Sequence, residues 1–254
     1  MRTIKLTIMY DGAAFAGWQR QPACASIQGV IEDALRKMTG ETVNLIGASR
    51  TDAGAHALGQ VAHFKMEADI PCEGIASGLS SMIGKGIVIL KAEEMPDGFH
   101  ARNDAKGKIY TYRLLCSKER MPLMQERCWH LFQMPDLDLM WEVSRALIGE
   151  HDFASFRASG CSSRDAIRRI DWIEISLHEP ALFELAGRGQ IIDITVQGNG
   201  FVRHMVRNIV GTLVDIGCGK IERGELQQIL RSRDREKAGH CAPASGLYLS
   251  KVIY

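Results

Sequence analysis

The chain has 254 residues, 46% hydrophobic and 24% charged, with a formal net charge of +1. That balance suits a globular chain with a sizeable core in one large or two modest domains, and it excludes a global basic field as the means of holding a nucleic acid. No run approaches eighteen apolar residues, the opening MRTIKLTIMYDG lacks an apolar signal-peptide core, and the seven scattered cysteines show no CxxC spacing, so a membrane span, a disulfide framework and a zinc site are all disfavoured and a cytoplasmic setting with reduced cysteines is expected.

In chain order, Thr3 to Tyr10 alternates, with Ile4, Leu6, Ile8 and Tyr10 on one face of a half-buried strand. Asp11-Gly12 ends it, and the loop AAFAGWQRQP follows. Its Phe15, Trp18, Gln19 and Arg20 suit either stacking on a base or anchoring the loop to the domain. Ser26 is placed to cap a helix through Met38, with Ile27, Val30, Ile31, Ala34, Leu35 and Met38 inward and Gly40 beyond its end. A charged, glycine-flanked loop, Gly47 to Gly54, then separates an apolar run (Val43, Leu45, Ile46) from an alternating strand around Val61 to Phe64. A helix at about Glu73 to Ile83 and a strand from Gly86 to Ala92 complete a first half ordered βαββαβ.

The pattern then starts again. KIYTYRLLC (Lys108 to Cys116) reads as a strand, and Asp136 caps a helix through Leu147 that Gly149 ends. Ile167 to Leu177 and Ile191 to Val196 read as strands, Asn199 or Gly200 opens a long helix from Phe201 to Ile216, and a shorter helix, Glu225 to Ser232, precedes a last strand, Leu247 to Ile253. The fold class expected is α+β: two ferredoxin-like or RRM-like halves, 1–105 and 106–254, whose antiparallel sheets meet at a central cleft. An open sheet face of this kind is a platform for nucleic acid.

Within the Gly47 loop, Asp52 lies two residues from Arg50, and a neighbouring cation favours a charged carboxylate. Asp52 is therefore a candidate nucleophile or base, or else an Asp that bonds its own turn while Arg50 makes a surface ion pair. No second acid shares the loop, which weakens a two-carboxylate hydrolase; Asp11 is the one nearby loop candidate for a second carboxylate. Further basic residues cluster at Arg102, Lys106 and Lys108, at Arg157, Arg164, Arg168 and Arg169, and on the long helix, where Arg203 and Arg207 would share a face. Tyr110 and Tyr112 share one face of their strand. GCGK at Gly217 to Lys220 is no P-loop, since Val214 and Ile221 break the pattern, and neither HExxH nor GxGxxG occurs. No cofactor and no metal are implied.

SRTDAGAHA resembles GRTDAGVHA, the signature of the tRNA pseudouridine synthase A (TruA) family, departing at Ser49 and Ala55. FHAR with the lysine and Tyr110 that follow it, GEHDFASF, FVRHMVRNIVG and APASGLYL resemble further segments of that family in the same order, as does YDGAAFAGWQRQ near the start. The resemblance implies that Asp52 is catalytic, that Tyr110 packs on the target uracil, that Arg207 pairs with Asp52, and that the Gly149–Arg169 segment faces tRNA. It also implies a homodimer that isomerises uridines 38, 39 and 40 of the tRNA anticodon stem-loop without cofactor. Arg50 is assigned to the distorted RNA backbone, with Arg20 and Arg203 as further RNA contacts. Two rivals remain at this level: an RNA-binding module without chemistry, and an Asp-dependent hydrolase that releases free base.

Overall fold

The computed structural model describes residues 1–158, 160, 163, 165–178 and 188–254. These group into two units, Met1–Lys106 with Tyr248–Tyr254, and Gly107–Leu247. The first runs β1 (Arg2–Tyr10), α1 (Ile27–Thr39), β2 (Ile46–Gly47), β3 (His56–Met66), α2 (Cys72–Ile83) and β4 (Ile87–Met95). The second runs β5 (Gly107–Cys116), β6 (Trp129–Leu131), α3 (Leu137–Ser144), β7 (Gly149–Asp152), β8 (Ile167–His178), β9 (Gln190–Gly198), α4 (Met205–Gly217) and α5 (Glu225–Ser232); β10 (Leu247–Ile253) ends the chain. The class is α+β, with sheets that are largely antiparallel.

In the first unit β1 lies between β4 and β3, antiparallel to both, with Leu6 opposite Ala92 on one side and Ala62 on the other. The far edge of β3 is shared. β10 runs parallel beside its start, Tyr248 opposite His56, and the two-residue β2 pairs near its end, Ile46 opposite His63. Alternation decides the faces: Ile4, Leu6, Ile8 and Phe64 are buried with Ile31 and Leu35 of α1 and Ile75 and Leu79 of α2. The caps of α1 follow its sequence. The Ser26 hydroxyl accepts the Gly29 N–H, and Gly40, at φ 77°, returns its N–H to the Arg36 carbonyl.

In the second unit β9 lies between β5 and β8, antiparallel to both, with β7 beyond β8 and β6 parallel to β5. α4 is its buried helix, inward at Met205, Val206, Ile209, Val210, Leu213 and Ile216. Cys24, Cys72, Cys116, Cys128 and Cys218 are free thiols, and burial pushes Cys128 up to about 11.

Three differences from the sequence reading have local causes. The final strand, expected within 106–254, groups with the first unit through its register with β3. α3 ends at Ser144 and tightens into a 3-10 turn, Arg145–Leu147, while Gly149, at φ 109°, opens β7 rather than closing the helix. The long helix begins at Met205, not Phe201. His204 takes a left-handed φ of 62°, the Met205 N–H bonds the Val202 carbonyl, and the Arg203 carbonyl accepts from Ala158. Backbone groups that a helix would use are thus spent on a turn. Asn199 bridges β8 and β9 instead of capping, exchanging bonds with both backbone groups of Arg169.

Candidate active site

The Asp52 loop is held by three neighbours in the first unit. Its own turn closes through the Ala55 N–H onto the Asp52 carbonyl (3.1 Å), with Gly54 at φ 79°. From the preceding loop, the Trp18 N–H reaches the Thr51 carbonyl (3.1 Å) and the Phe15 carbonyl accepts from Gly54. Trp18 is only 1% exposed, and its indole lies so close to Gly47 that a Cβ there would sit 2.5 Å from the ring. Trp18 is therefore an anchor and not a stacking platform. Beneath the loop, the side-chain amide of Gln60 bonds both backbone groups of Ser49, and Tyr10 Oη lies 2.7 Å from Thr51 Oγ1. On this frame Asp52 is half-buried and Arg50 exposed.

Arg102 stands near Arg50: partial desolvation first, and repulsion from Arg50 second, hold its guanidinium below the usual value. Among the described residues neither arginine has an ion-pair partner. Two cations beside a carboxylate loop concentrate positive charge locally without any large global charge. The turn that carries Arg102 is fixed through His63, whose Nδ1 accepts the Ala101 N–H at 3.1 Å. After the loop, His56 Nδ1 accepts from the Gly12 N–H (3.1 Å) while its ring stacks on Tyr248 at 4.7 Å. Asp11 accepts from the Ala13 N–H and lies 3.1 Å from the same His56 nitrogen.

Tyr110 and Arg207 belong to the second unit. Tyr110, 6% exposed on β5, meets Phe201 edge-on at 5.2 Å. Its neighbour Tyr112 is wholly buried and donates to the Pro243 carbonyl (2.7 Å), and burial raises its phenol well above the ordinary range. Arg207 lies in the first turn of α4, where its Nε donates to the Ala242 carbonyl at 2.7 Å. The segment bearing Ala242 is clamped to the helix. Gly239 donates to Thr212 Oγ1, His240 Nδ1 lies 2.6 Å from Asp215 Oδ2, and a Cβ on Gly211 would meet the His240 carbonyl at 1.8 Å. The glycine of FVRHMVRNIVG thus permits the approach that orients Arg207.

The remaining basic residues separate by environment. Arg20 bridges Glu32 (3.1 Å) and Asp33 (3.2 Å) of α1. Arg168 binds Asp165 and Ser163, and among the described residues Arg157 reaches the Ser163 carbonyl, at 3.5 Å. Lys106 and Arg203 are exposed, but Arg203 precedes α4, so the helical face it was expected to share with Arg207 does not exist. Arg164 lies outside the described residues. In GEHDFASF, Phe153 and Phe156 are core residues at 0% exposure.

A family model described as tRNA pseudouridine synthase matches residues 6–104 and 143–254. Full-length similarity agrees with it. The chain is 44% identical over 254 residues to tRNA pseudouridine synthase A of Thermoanaerobacter sp. (strain X514), covering all of both chains. It is 42% identical to that of Geobacter sulfurreducens and 41% to that of Acetivibrio thermocellus, again over the whole of both.

The chain belongs to the tRNA pseudouridine synthase family. It is an isomerase that acts on uridine in tRNA. Among the described residues no helix is long and apolar enough to cross a membrane. For a tRNA pseudouridine synthase, the side chains the sequence reading did not single out are those that hold the loop, above all Gln60. One signal was available: Gln60 is a polar residue at an inward position of an otherwise apolar strand face, in line with Ala62 and Phe64.

Proposed function

We propose that the chain isomerises uridines 38, 39 and 40 in the anticodon stem-loop of tRNA, with Asp52 as the catalytic carboxylate. The observation that carries this reading is a half-buried Asp on a turn fixed from three sides, with Arg50 two residues away and Arg102 close to Arg50. The target uridine must leave its stack, at a cost of a few kcal/mol that is least near a loop. Arg50 contacts the distorted backbone and helps keep the nucleotide extruded. Asp52 then promotes cleavage of the C1′–N1 bond, either by covalent attack or by removing a sugar proton. The freed uracil rotates against Tyr110 and rejoins C1′ through C5; the C5 proton leaves to solvent and N1 takes one up, so no atom is gained or lost overall. Arg207 pairs with Asp52 and orients it. The enzyme works as a cytoplasmic homodimer, without metal or cofactor.

A hydrolase sharing this loop would need a second carboxylate. Asp11, the loop candidate for it, is engaged in its own turn and beside His56, which favours chemistry based on one acid. The test is to incubate unmodified tRNA with the protein and map pseudouridine by carbodiimide adducts that stop reverse transcription. Stops at positions 38 to 40 alone are expected. Modification elsewhere, or release of free uracil, would overturn the assignment, and sedimentation of the protein as a monomer at micromolar concentration would overturn the homodimer.

A further inference from the structure

Gln60 is 0% exposed on a core face otherwise lined by Ile8, Leu6, Ala62 and Phe64. A buried amide is costly unless all its bonds are made, and here all are. Nε2 donates to the Ser49 carbonyl (2.9 Å) and reaches the Tyr10 hydroxyl (3.5 Å). Oε1 accepts the N–H groups of Ser49 and Val61, both at 3.2 Å. Tyr10, 3% exposed, also shares a hydrogen bond with Thr51 Oγ1 at 2.7 Å. Residues 49 and 51 are thus tied down from below by two strands, and Arg50 and Asp52 alternate away from that attachment, one exposed and one half-buried.

An aliphatic side chain would fill the Gln60 position without any bonds to make. What a fully satisfied polar network adds is one defined geometry. A reacting carboxylate needs that, since displacement by about 1 Å can cost roughly 100-fold in rate. We propose that Gln60 and Tyr10 are positioning residues that set the Asp52 carboxylate, through Ser49 and Thr51, at the height from which it acts on the sugar. The proposal rests on the assignment of Asp52 as catalytic.

The test compares Gln60→Met, which keeps length and removes both polar atoms, with Tyr10→Phe, which removes one oxygen and keeps the ring. Ser144→Ala serves as a control, because it removes a buried hydroxyl that bonds the Trp141 carbonyl within α3, in the other unit and away from Arg207. Each variant is assayed for kcat and KM on tRNA, for Tm, and for amide exchange at Ser49 and Thr51 without tRNA. Gln60→Met and Tyr10→Phe are expected to lower kcat by roughly 10- to 100-fold, leave KM within about twofold, and speed exchange at Ser49 in the glutamine variant. Ser144→Ala is expected to leave kcat unchanged. Retention of kcat in Tyr10→Phe, the variant least able to unfold the protein, would overturn the proposal, as would an equal kcat loss in Ser144→Ala. If the wild type itself proves inactive on tRNA, the Asp52 assignment fails on its own, and unchanged Ser49 exchange in Gln60→Met would separately refute the clamp.

Discussion

Tyr110 and Tyr112 sit two apart on β5, both buried, yet their contacts differ in kind. Tyr112 spends its hydroxyl on Pro243, and burial keeps the phenol protonated; it holds structure. Tyr110 meets Phe201 edge-on, and the proposed mechanism assigns its ring to the uracil. Stacking of a base on an aromatic ring contributes about 1–3 kcal/mol, so Tyr110→Leu is expected to lower kcat/KM roughly 5- to 150-fold. Tyr112→Phe removes the hydrogen bond to the Pro243 carbonyl and is expected to cost about 1 kcal/mol of stability with kcat/KM preserved. Chemical denaturation alongside tritium-release kinetics separates the two. Loss of activity in Tyr112→Phe with wild-type behaviour in Tyr110→Leu would reverse the assignments.

At the scale of elements, the turn that carries Arg102 depends on a neutral histidine. Burial first, and the nearby His100 second, hold His63 below the ordinary histidine value of 6.5, while Asp104 pulls it up and Lys65 down. The unfolded chain therefore takes up this proton more readily than the folded one. The stabilisation is complete above about pH 6.5 and is lost as pH falls from there towards the folded value, because a protonated Nδ1 can no longer accept from Ala101. Between about pH 7 and pH 5.5 the wild-type Tm should fall more steeply than that of His63→Gln; parallel curves would contradict a neutral His63. Most elements could be read from the sequence where one local rule dominates. The alternation of β1, the Ser26 and Gly40 caps of α1, and the Asp136 cap of α3, whose side chain accepts from Leu139, all emerge as expected. The rule fails where two signals compete. FVRHMV continues the apolar period of α4, but its backbone is used by a turn ending in left-handed His204. β6 and β7 span three and four residues, too short for any period to register. The motif residues Asp52 and Arg207 are visible in sequence; their supports, Gln60 and the Asp215–His240 pair, are set by contacts distant along the chain.

For the whole molecule, a formal net charge of +1 means that affinity for tRNA has to come from local cations. Arg20 and Arg168 already face carboxylates, whereas Arg50 and Arg102 repel each other, and an RNA phosphate between them would relieve that repulsion. Arg50→Ala and Arg102→Ala should each reduce the slope of log affinity against log salt by about one. Slopes equal to wild type in both variants would remove these residues from the interface. The central claim, that a single carboxylate isomerises uridine, is tested most directly with unmodified tRNA carrying tritium at C5 of uridine. The wild-type protein should release tritium to water, and Asp52→Asn should release none while still binding tRNA. Release by Asp52→Asn at a rate near that of the wild type would contradict the claim.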